Sequence, residues 1–513
     1  MQAQKWVNLV NRLTNYSVCN GGAEKVFSYT AKEAHCRSIE LLSGGRQGEA
    51  EALIAWATQR YFDDADLLFA KGVLERSRWD KSAAELWFGL ARRQGAHSYI
   101  REASLLLLRL DRRNPKESDL LNLIRLSNEH PDDVYLLWLS AIQCREQKKA
   151  DLGRTQYEKL LTHFKVGPIL LHQTYANILT EDFKEYDKAL EHRYLAVALE
   201  AKHWSLRGLG DTLMKLKRYD EACAVFARAV QLEPLCNDCW SNWGWALQQT
   251  GQFEEALEKH REAGLLDPSS AYDLYCAGYC MEKLERYEEM FNFYRRAAEM
   301  DYADAQRAFG WCYQDGKGAG QDYIAAVKWY RKAAKQGDAV AQLRLGYCCE
   351  KGQGIDKDFN EAVKWYRMAA AQGNADALGN LGLCYHKGKG VEKDQLQAAS
   401  LYKRSLENDP DNTSALNNYA CLLIDCDDLE VRDYPEAIRL AQRSVASDER
   451  VYNLDTLADA YARNGQYAEA VKTQKRLVVL RRQASPGKEI PARPLDKLAE
   501  YERKLAEQKG GAQ

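Results

Sequence analysis

A glycine that returns on a fixed period constrains this chain more than any other feature. Gly210, Gly244 and Gly278 stand 34 residues apart. Ala222 and Ala256 follow their glycines by 12 residues, and Ala229, Ala263 and Ala297 follow by 19. Phe226 comes four residues after Ala222, Tyr294 takes the matching place later, and Pro234 and Pro268 close two of the units. A period of this length is one supersecondary unit used again and again, each copy unable to bury its apolar face alone. Small residues at fixed offsets mark a close crossing of two helices, aromatics fill the adjacent holes, and Pro stops the second helix. The unit is a helix hairpin.

Downstream the period lengthens to 36, with Gly310, Gly346 and Gly382 as the new column and Ala326, Ala362 and Ala398 each 16 residues behind. Tyr330, Tyr366 and Tyr402 fall four residues after these alanines, and Ala333, Ala369 and Ser405 seven after. The glycine-to-alanine distance grows by four and the return shrinks by two. The gain lies in the runs Asp-Gly-Lys-Gly (315–318), Lys-Gly-Gln-Gly (351–354) and Lys-Gly-Lys-Gly (387–390). Their glycines supply the positive φ that ends a first helix.

The 34-residue units resemble the tetratricopeptide repeat (TPR). The near-identical Ala-Val-Lys-Trp-Tyr-Arg runs at 326–331 and 362–367 resemble the SEL-like repeat, a close relative, and Ser-Leu-Tyr-Lys at 400–403 follows it less closely. The resemblance covers roughly residues 203 to 405. It implies an all-α, right-handed superhelical solenoid of antiparallel helix hairpins, with the first helix of each hairpin lining a concave face. Elsewhere the signal is thinner. Residues 455–470 read as another hairpin turning at Asn464 and Gly465, and 413–447 as one with a long turn from Asp425 to Tyr434. Gly72, Ala84, Phe88 and Ala91 reproduce the 12, 16 and 19 offsets far upstream.

The expected organisation is therefore an amino-terminal helical cap (1–45), divergent TPR-like repeats (46–202), three TPR units (203–302) and three SEL-like repeats (303–408). Two carboxy-terminal TPR-like units (409–482), a Pro-rich break (483–494) and a capping helix with a tail (495–513) follow. On that last helix Leu495, Leu498, Tyr501 and Leu505 share one stripe. The whole amounts to about 13 to 15 hairpins.

Composition narrows the function. With 46% apolar and 28% charged residues the chain is globular. Lys and Arg total 72 against 74 for Asp and Glu, so the basic excess of a nucleic-acid binder is missing. No apolar run reaches the 18 or more residues of a membrane span, and the first residues lack a signal peptide's apolar core. A cytoplasmic protein with no membrane insertion is expected, its 14 scattered Cys kept as reduced thiols. The basic stretch Lys472, Lys475, Arg476, Arg481 and Arg482 reads as a solvated face. Oligomeric state is left open.

Catalysis needs a nucleophile, a base and an orienting group in one pocket. The chain has no phosphate-binding Gly-rich loop ending in Lys-Ser or Lys-Thr, no His-Glu-x-x-His and no Gly-x-Ser-x-Gly. Ser400 with Lys403, and Ser485 with Lys488, share the spacing of serine acyl-transfer enzymes but lack their companion motifs. Cys236 and Cys239, taken with Cys276 and Cys280, have the number of thiolates for zinc. Against this, Cys280, Cys312, Cys348 and Cys384 all stand two residues after a repeat glycine, which marks small apolar packing residues. The nine His have no ligand spacing. No enzyme, metal or cofactor is expected.

The residue after each repeat glycine is Asp211, Trp245, Tyr279, Trp311, Tyr347 and Leu383. Four consecutive aromatics stand in that column. Near one turn earlier come Arg207, Asn242, Tyr275, Arg307, Arg344 and Asn380, with Trp204 and Tyr272 at the starts of two repeats. Arg, Tyr and Trp dominate protein-recognition hot spots. The resemblance then implies a non-catalytic scaffold or adaptor that holds a protein or peptide in its groove, these aromatics either gripping the partner or packing on the neighbouring repeat. A second reading is a regulatory sensor that binds a peptide or small ligand and controls a partner enzyme or regulator. The two-carboxylate clamp of one TPR subclass fits poorly. Only Asn242 matches and Arg207 is a conservative change, while Asp211, Tyr272 and Cys276 fail it, and Asp211 would repel a carboxylate.

Overall fold

A computed structural model of the chain describes residues 31–43, 47–60, 64–77, single positions between 84 and 107, 116–163, 167–427, 431–484 and 491–510. Most of the expected amino-terminal cap, including the pair Gly21 and Gly22, and residues 485–490 of the Pro-rich break lie outside the described residues. Among the described residues the secondary structure is entirely helical. The chain divides into two compact units, Met1–Leu266 and Asp267–Gln513.

The first unit holds α1 (Ala31–Ser43), α2 (Gln47–Arg60), α3 (Ala65–Ser77) and α4 (Glu117–Glu129). The pairs α5 and α6 (Val134–Glu146, Ala150–Thr162), α7 and α8 (Ile169–Glu181, Tyr186–Leu199), α9 and α10 (His203–Lys215, Tyr219–Leu232), and α11 and α12 (Asn237–Gln249, Phe253–Leu266) follow. The second unit pairs α13 with α14 (Ala271–Lys283, Tyr287–Glu299), α15 with α16 (Ala303–Asp315, Tyr323–Lys335), α17 with α18 (Ala339–Lys351, Phe359–Ala371) and α19 with α20 (Ala375–Lys387, Gln395–Asn408). It ends with α21 and α22 (Thr413–Asp425, Tyr434–Ser447), α23 and α24 (Val451–Arg463, Tyr467–Ala484), and α25 (Ala492–Gly510). Each unit is a solenoid of helix pairs.

The repeat glycine explains the pairing. A β-carbon on Gly210 would stand 2.5 Å from the Phe226 ring, on Gly278 2.6 Å from Tyr294, and on Gly346 2.7 Å from Tyr366. Gly310 meets Tyr330 and Gly382 meets Tyr402 in the same way. The rings of Phe226, Tyr330, Tyr366 and Tyr402 are fully buried. Upstream, Gly72 faces Phe88 at 2.7 Å, so the isolated 16-residue offset there marks the same contact. Gly244 faces His260 at 2.7 Å, where an imidazole replaces the aromatic ring. The repeat cysteines Cys280, Cys312 and Cys348 are fully buried, and burial pushes the Cys348 thiol up to about 11. They pack as small apolar side chains.

Each SEL-type turn uses two glycines for different reasons. Gly316, Gly352 and Gly388 have φ of 68°, 71° and 62° and end the first helices in the left-handed conformation. Gly318, Gly354 and Gly390 also have positive φ, but a β-carbon on Gly354 would fall on the carbonyl of Tyr323, the first residue of the preceding second helix. Gly318 sits likewise on Tyr287, and Gly390 on Phe359. The second glycine seats each turn on the repeat before it. The helices that follow are capped by side chains: Asp322, Asp358 and Asp394 accept from backbone N–H groups of α16, α18 and α20, and Asp338 and Asn374 do so for α17 and α19.

Polar ladders run through the same core with the 36-residue period. Gln336 Nε2 donates to Gln306 Oε1 at 3.0 Å, and Gln372 Nε2 to Gln342 Oε1 at 2.9 Å. The buried tyrosine hydroxyls are satisfied in turn, Tyr330 by Gln314 at 3.0 Å and Tyr366 by Glu350 at 3.0 Å. The third SEL repeat breaks both series. Leu378 replaces the glutamine, and His386 stands where Gln314 and Glu350 stood. There the Tyr402 hydroxyl and His386 Nδ1 have no hydrogen-bond partner among the described residues. Burial holds the His386 imidazole down at about 4, so it is neutral in the folded chain.

Two expectations are corrected. Cys236 and Cys239 are joined as a disulfide across the first turn of α11, not held as free thiols. Cys236 is the residue before the helix and Cys239 lies within its first turn, which brings their Cα atoms to 5.4 Å. The closing helix α25 begins at Ala492, and Leu495 stays 40% exposed rather than joining the packed stripe. Tyr501, Leu498 and Leu505 do pack on α23 and α24. Lys497 turns inward instead, its Nζ 3.0 Å from Asp455 Oδ1 and 2.6 Å from Asp459 Oδ2.

Two outcomes follow from these contacts. Gly354→Ala will destabilise the chain more than Gly352→Ala, by about 1–3 kcal/mol in denaturant unfolding, because both strain φ but only the former meets a fixed backbone carbonyl. His386→Gln will raise stability by about 1 kcal/mol by giving Tyr402 an acceptor. In the native sequence the unfolded state takes up a proton at His386 below about pH 6.5, which the folded state resists down to about 4. Stability is therefore full above that window and falls as pH is lowered through it, and the glutamine variant will lose less over that range.

Candidate functional site

The predicted binding residues lie on the first helices α9, α11, α13, α15, α17 and α19. Counting back from the repeat glycine separates the polar edge into two adjacent columns. Arg207, Tyr275 and Arg307 stand three residues before their glycines, and Asn242, Arg344 and Asn380 stand two before. Together with the residue after the glycine and those six before it, they make the i, i+3, i+4, i+7 stripe of one helix face.

In the first unit this face is bound up in its own contacts. Arg207 is ion-paired with Asp238 of the next repeat. Asn242 Nδ2 donates to Asp211 Oδ1 at 2.8 Å. Burial raises the Asp211 carboxyl above its usual range, while the nearby Arg207 and Arg193 guanidiniums pull the other way. Behind it, buried Arg193 bonds to Gln173 and, at 2.5 Å, to Asn177. Trp245 presents an edge to Tyr219 with ring centroids 5.9 Å apart. Trp204 is half-buried.

The second unit is more open. Tyr275 packs between Tyr294 and Tyr302, at 5.7 and 5.6 Å between centroids. Burial lifts its phenol, and the hydrogen-bonded Arg307 opposes that shift. Arg307 is held by Asp304 at 2.6 Å and Asp338 at 3.1 Å. Tyr279 and Tyr347 each carry a lysine four residues on, Lys283 at 5.1 Å and Lys351 at 5.4 Å from the ring. Tyr347 is 40% exposed and Tyr272 38%. Trp311 and Asn380 are half-buried. Arg344 is exposed and has no ion-pair or hydrogen-bond partner among the described residues.

The sequence reading missed that two of its three arginines tie neighbouring repeats together. The signal was present as an acid 31 residues after each, Asp238 after Arg207 and Asp338 after Arg307. It also missed the His172 and His192 pair, whose Nδ1 atoms lie 2.9 Å apart between α7 and α8. For other chemistry the described residues offer little. They contain no group of three or more His, Cys, Asp or Glu placed to hold a metal ion. Ser400 and Lys403 lie exposed on α20, and Ser485 is outside the described residues. No described helix is long and apolar enough to cross a membrane.

Because Arg307 bridges two repeats and Arg344 does not, Arg307→Ala will lower unfolding stability by about 1–2 kcal/mol, whereas Arg344→Ala will change it by less than about 0.5 kcal/mol. Chemical denaturation of the two variants side by side checks this.

Residues 303–338, 339–374 and 375–410 match the Sel1 repeat, and residues 204–236 and 401–439 match the tetratricopeptide repeat. Over 101 residues the chain is 28% identical to the small glutamine-rich tetratricopeptide repeat-containing protein 2 of Mycosarcoma maydis, a stretch that is 20% of this chain and 29% of that protein. Among solved structures it is similar to a Sel1 repeat protein from Oxalobacter formigenes, at 26% identity over 47% of this chain and 100% of that one, with a TM-score of 0.41. It is also similar to c5321, a protective antigen of uropathogenic Escherichia coli strains, at 18% identity over 94% of this chain and 98% of that one, with a TM-score of 0.41. Three consecutive Sel1 matches flanked by tetratricopeptide matches, with one glycine-on-ring contact shared by the helix pairs at 203–232 and 303–408, make residues 204–236 and 303–439 tetratricopeptide and Sel1 repeats.

Proposed function

We propose that this chain is a non-catalytic scaffold that holds a protein or peptide segment against the faces of its first helices. Repeats of this family serve as protein-interaction scaffolds, which sets the class of function. One observation carries the step to these residues. The molecule has two columns of aromatics and treats them differently. The rings on the second helices, Tyr294, Tyr330, Tyr366 and Tyr402, are at most 1% exposed and complete the core. The column after the glycine, with Trp245, Tyr279, Trp311 and Tyr347, stays half-buried or exposed. A ring that the core does not need, left at the surface beside unpaired Arg344, is an anchor for a partner's side chains.

Selection of binding peptides from a displayed random library with the whole chain, followed by titration of the winners, tests this reading. Trp245→Ala and Trp311→Ala, one in each unit, are expected to weaken binding by more than about 1 kcal/mol, at least fivefold in Kd, with helicity unchanged. Affinity unchanged in both variants would refute it, and equal loss of binding and thermal stability would assign the rings to packing.

A further inference from the structure

The second helix α16 carries a charge pattern that its neighbours lack. Ile324, Val327, Lys328, Arg331, Lys332 and Lys335 follow the i, i+3, i+4 spacing of one helix stripe. All four cations are exposed, and the helix contains no acid. None of the four has an ion-pair or hydrogen-bond partner among the described residues, while Lys332 Nζ lies 3.9 Å from the Trp329 ring centroid. One repeat later the same positions are Lys364, Arg367, Met368 and Ala371, and the two cations are committed: Lys364 pairs with Glu361 at 3.0 Å and Arg367 donates to the Tyr385 hydroxyl at 2.8 Å. Two repeats later the set is Ser400, Lys403, Arg404 and Glu407. Among the second helices of the three SEL-type repeats the concentration of free positive charge is thus particular to α16, in a chain whose net charge is -2.

This stripe forms one wall of a surface pocket of about 380 Å³, and Gly354 and Ile355 of the next turn form the other. Ile324 is 73% exposed at its edge, beside Val327 and Ile355. The helix macrodipole favours Lys332 and Lys335 in the last turn. It accounts for neither Lys328 and Arg331 nor an exposed isoleucine among them. Asp358 caps α18 through the N–H groups of Asn360 and Glu361 and makes no ion pair with the four cations.

We propose that this pocket docks an acidic peptide segment bearing an apolar side chain. The apolar group rests on Ile324, Val327 and Ile355, and flanking carboxylates meet Lys328, Arg331, Lys332 and Lys335. The four cations span only about 10 Å along the helix, too short a track for a nucleic-acid backbone read by charge, and the apolar floor favours a peptide. The pocket lies between the second helix α16 and the turn after α17, and none of its lining residues belongs to the first-helix stripe, so a partner here is a second one.

Fluorescence anisotropy of the whole chain with a labelled Glu- and Leu-containing peptide tests the proposal. Comparison probes have Gln in place of Glu, Ser in place of Leu, or are single-stranded oligothymidylate. The acidic peptide is expected to bind, and to lose about tenfold in affinity on Lys328→Glu with Lys332→Glu, with a weaker loss on Ile324→Ser. Lys364→Gln and Trp311→Ala are expected to leave this affinity unchanged, which separates the pocket from the first-helix face. The proposal is overturned if the acidic peptide does not bind, if the Gln peptide binds equally, if the oligonucleotide binds more tightly, or if the charge-reversed variant, folded by circular dichroism, binds as the native chain does.

Discussion

The contact between a glycine α-carbon and a buried ring sets the geometry of the hairpins from α9 to α20, with an imidazole as the ring opposite Gly244. The Gly346 and Tyr366 pair shows what it requires: no β-carbon on one helix, a planar side chain on the other, and the hydroxyl led out to Glu350. Once the two helices lie that close, the remaining small residues have no freedom. Ala362 and Ala369 flank the ring on its own helix, and Cys348 fills the space beyond the glycine, all fully buried. Dense packing of this kind tolerates little change in volume, which is why the spacing survives in the sequence when most identities do not.

Legibility followed that density. The repeat glycines, the buried tyrosines and the turn glycines are steric requirements tied to backbone position, and each leaves a residue type at a fixed offset. The upstream unit was visible through Gly72 and Phe88 for the same reason. Where chemistry substituted for shape, the pattern faded. His260 fills the ring position opposite Gly244 and does not read as an aromatic column. The helix caps Asp322, Asp358 and Asp394 repeat every 36 residues before three second helices but lie in the turns, away from the apolar periodicity.

The candidate face was legible as positions and less so as roles. Its aromatic column follows from counting one residue past each glycine. Whether Arg207 is free depends on Asp238 in the next repeat, a contact that no single hairpin contains. The same holds for Arg307, whose two acids come from its own helix and from the residue that caps the next first helix. Charge pairing between repeats is a property of the stack, so it emerges only when neighbours are placed side by side.

The seat made by the second turn glycine has a consequence for how such a chain changes length. Gly318 on Tyr287, Gly354 on Tyr323 and Gly390 on Phe359 are three copies of one joint, each made of an incoming backbone and an outgoing helix start. A segment such as 339–374 therefore carries a matched plug and socket. Duplicating it creates no surface that the molecule does not already know how to cover, and deleting it rejoins ends of the same kind. The last copy is different, because Leu378 and His386 have dropped the polar links of the earlier two. Since Gly390 still sits on Phe359 in that copy, it is the steric joint and not the polar links that makes the segments interchangeable.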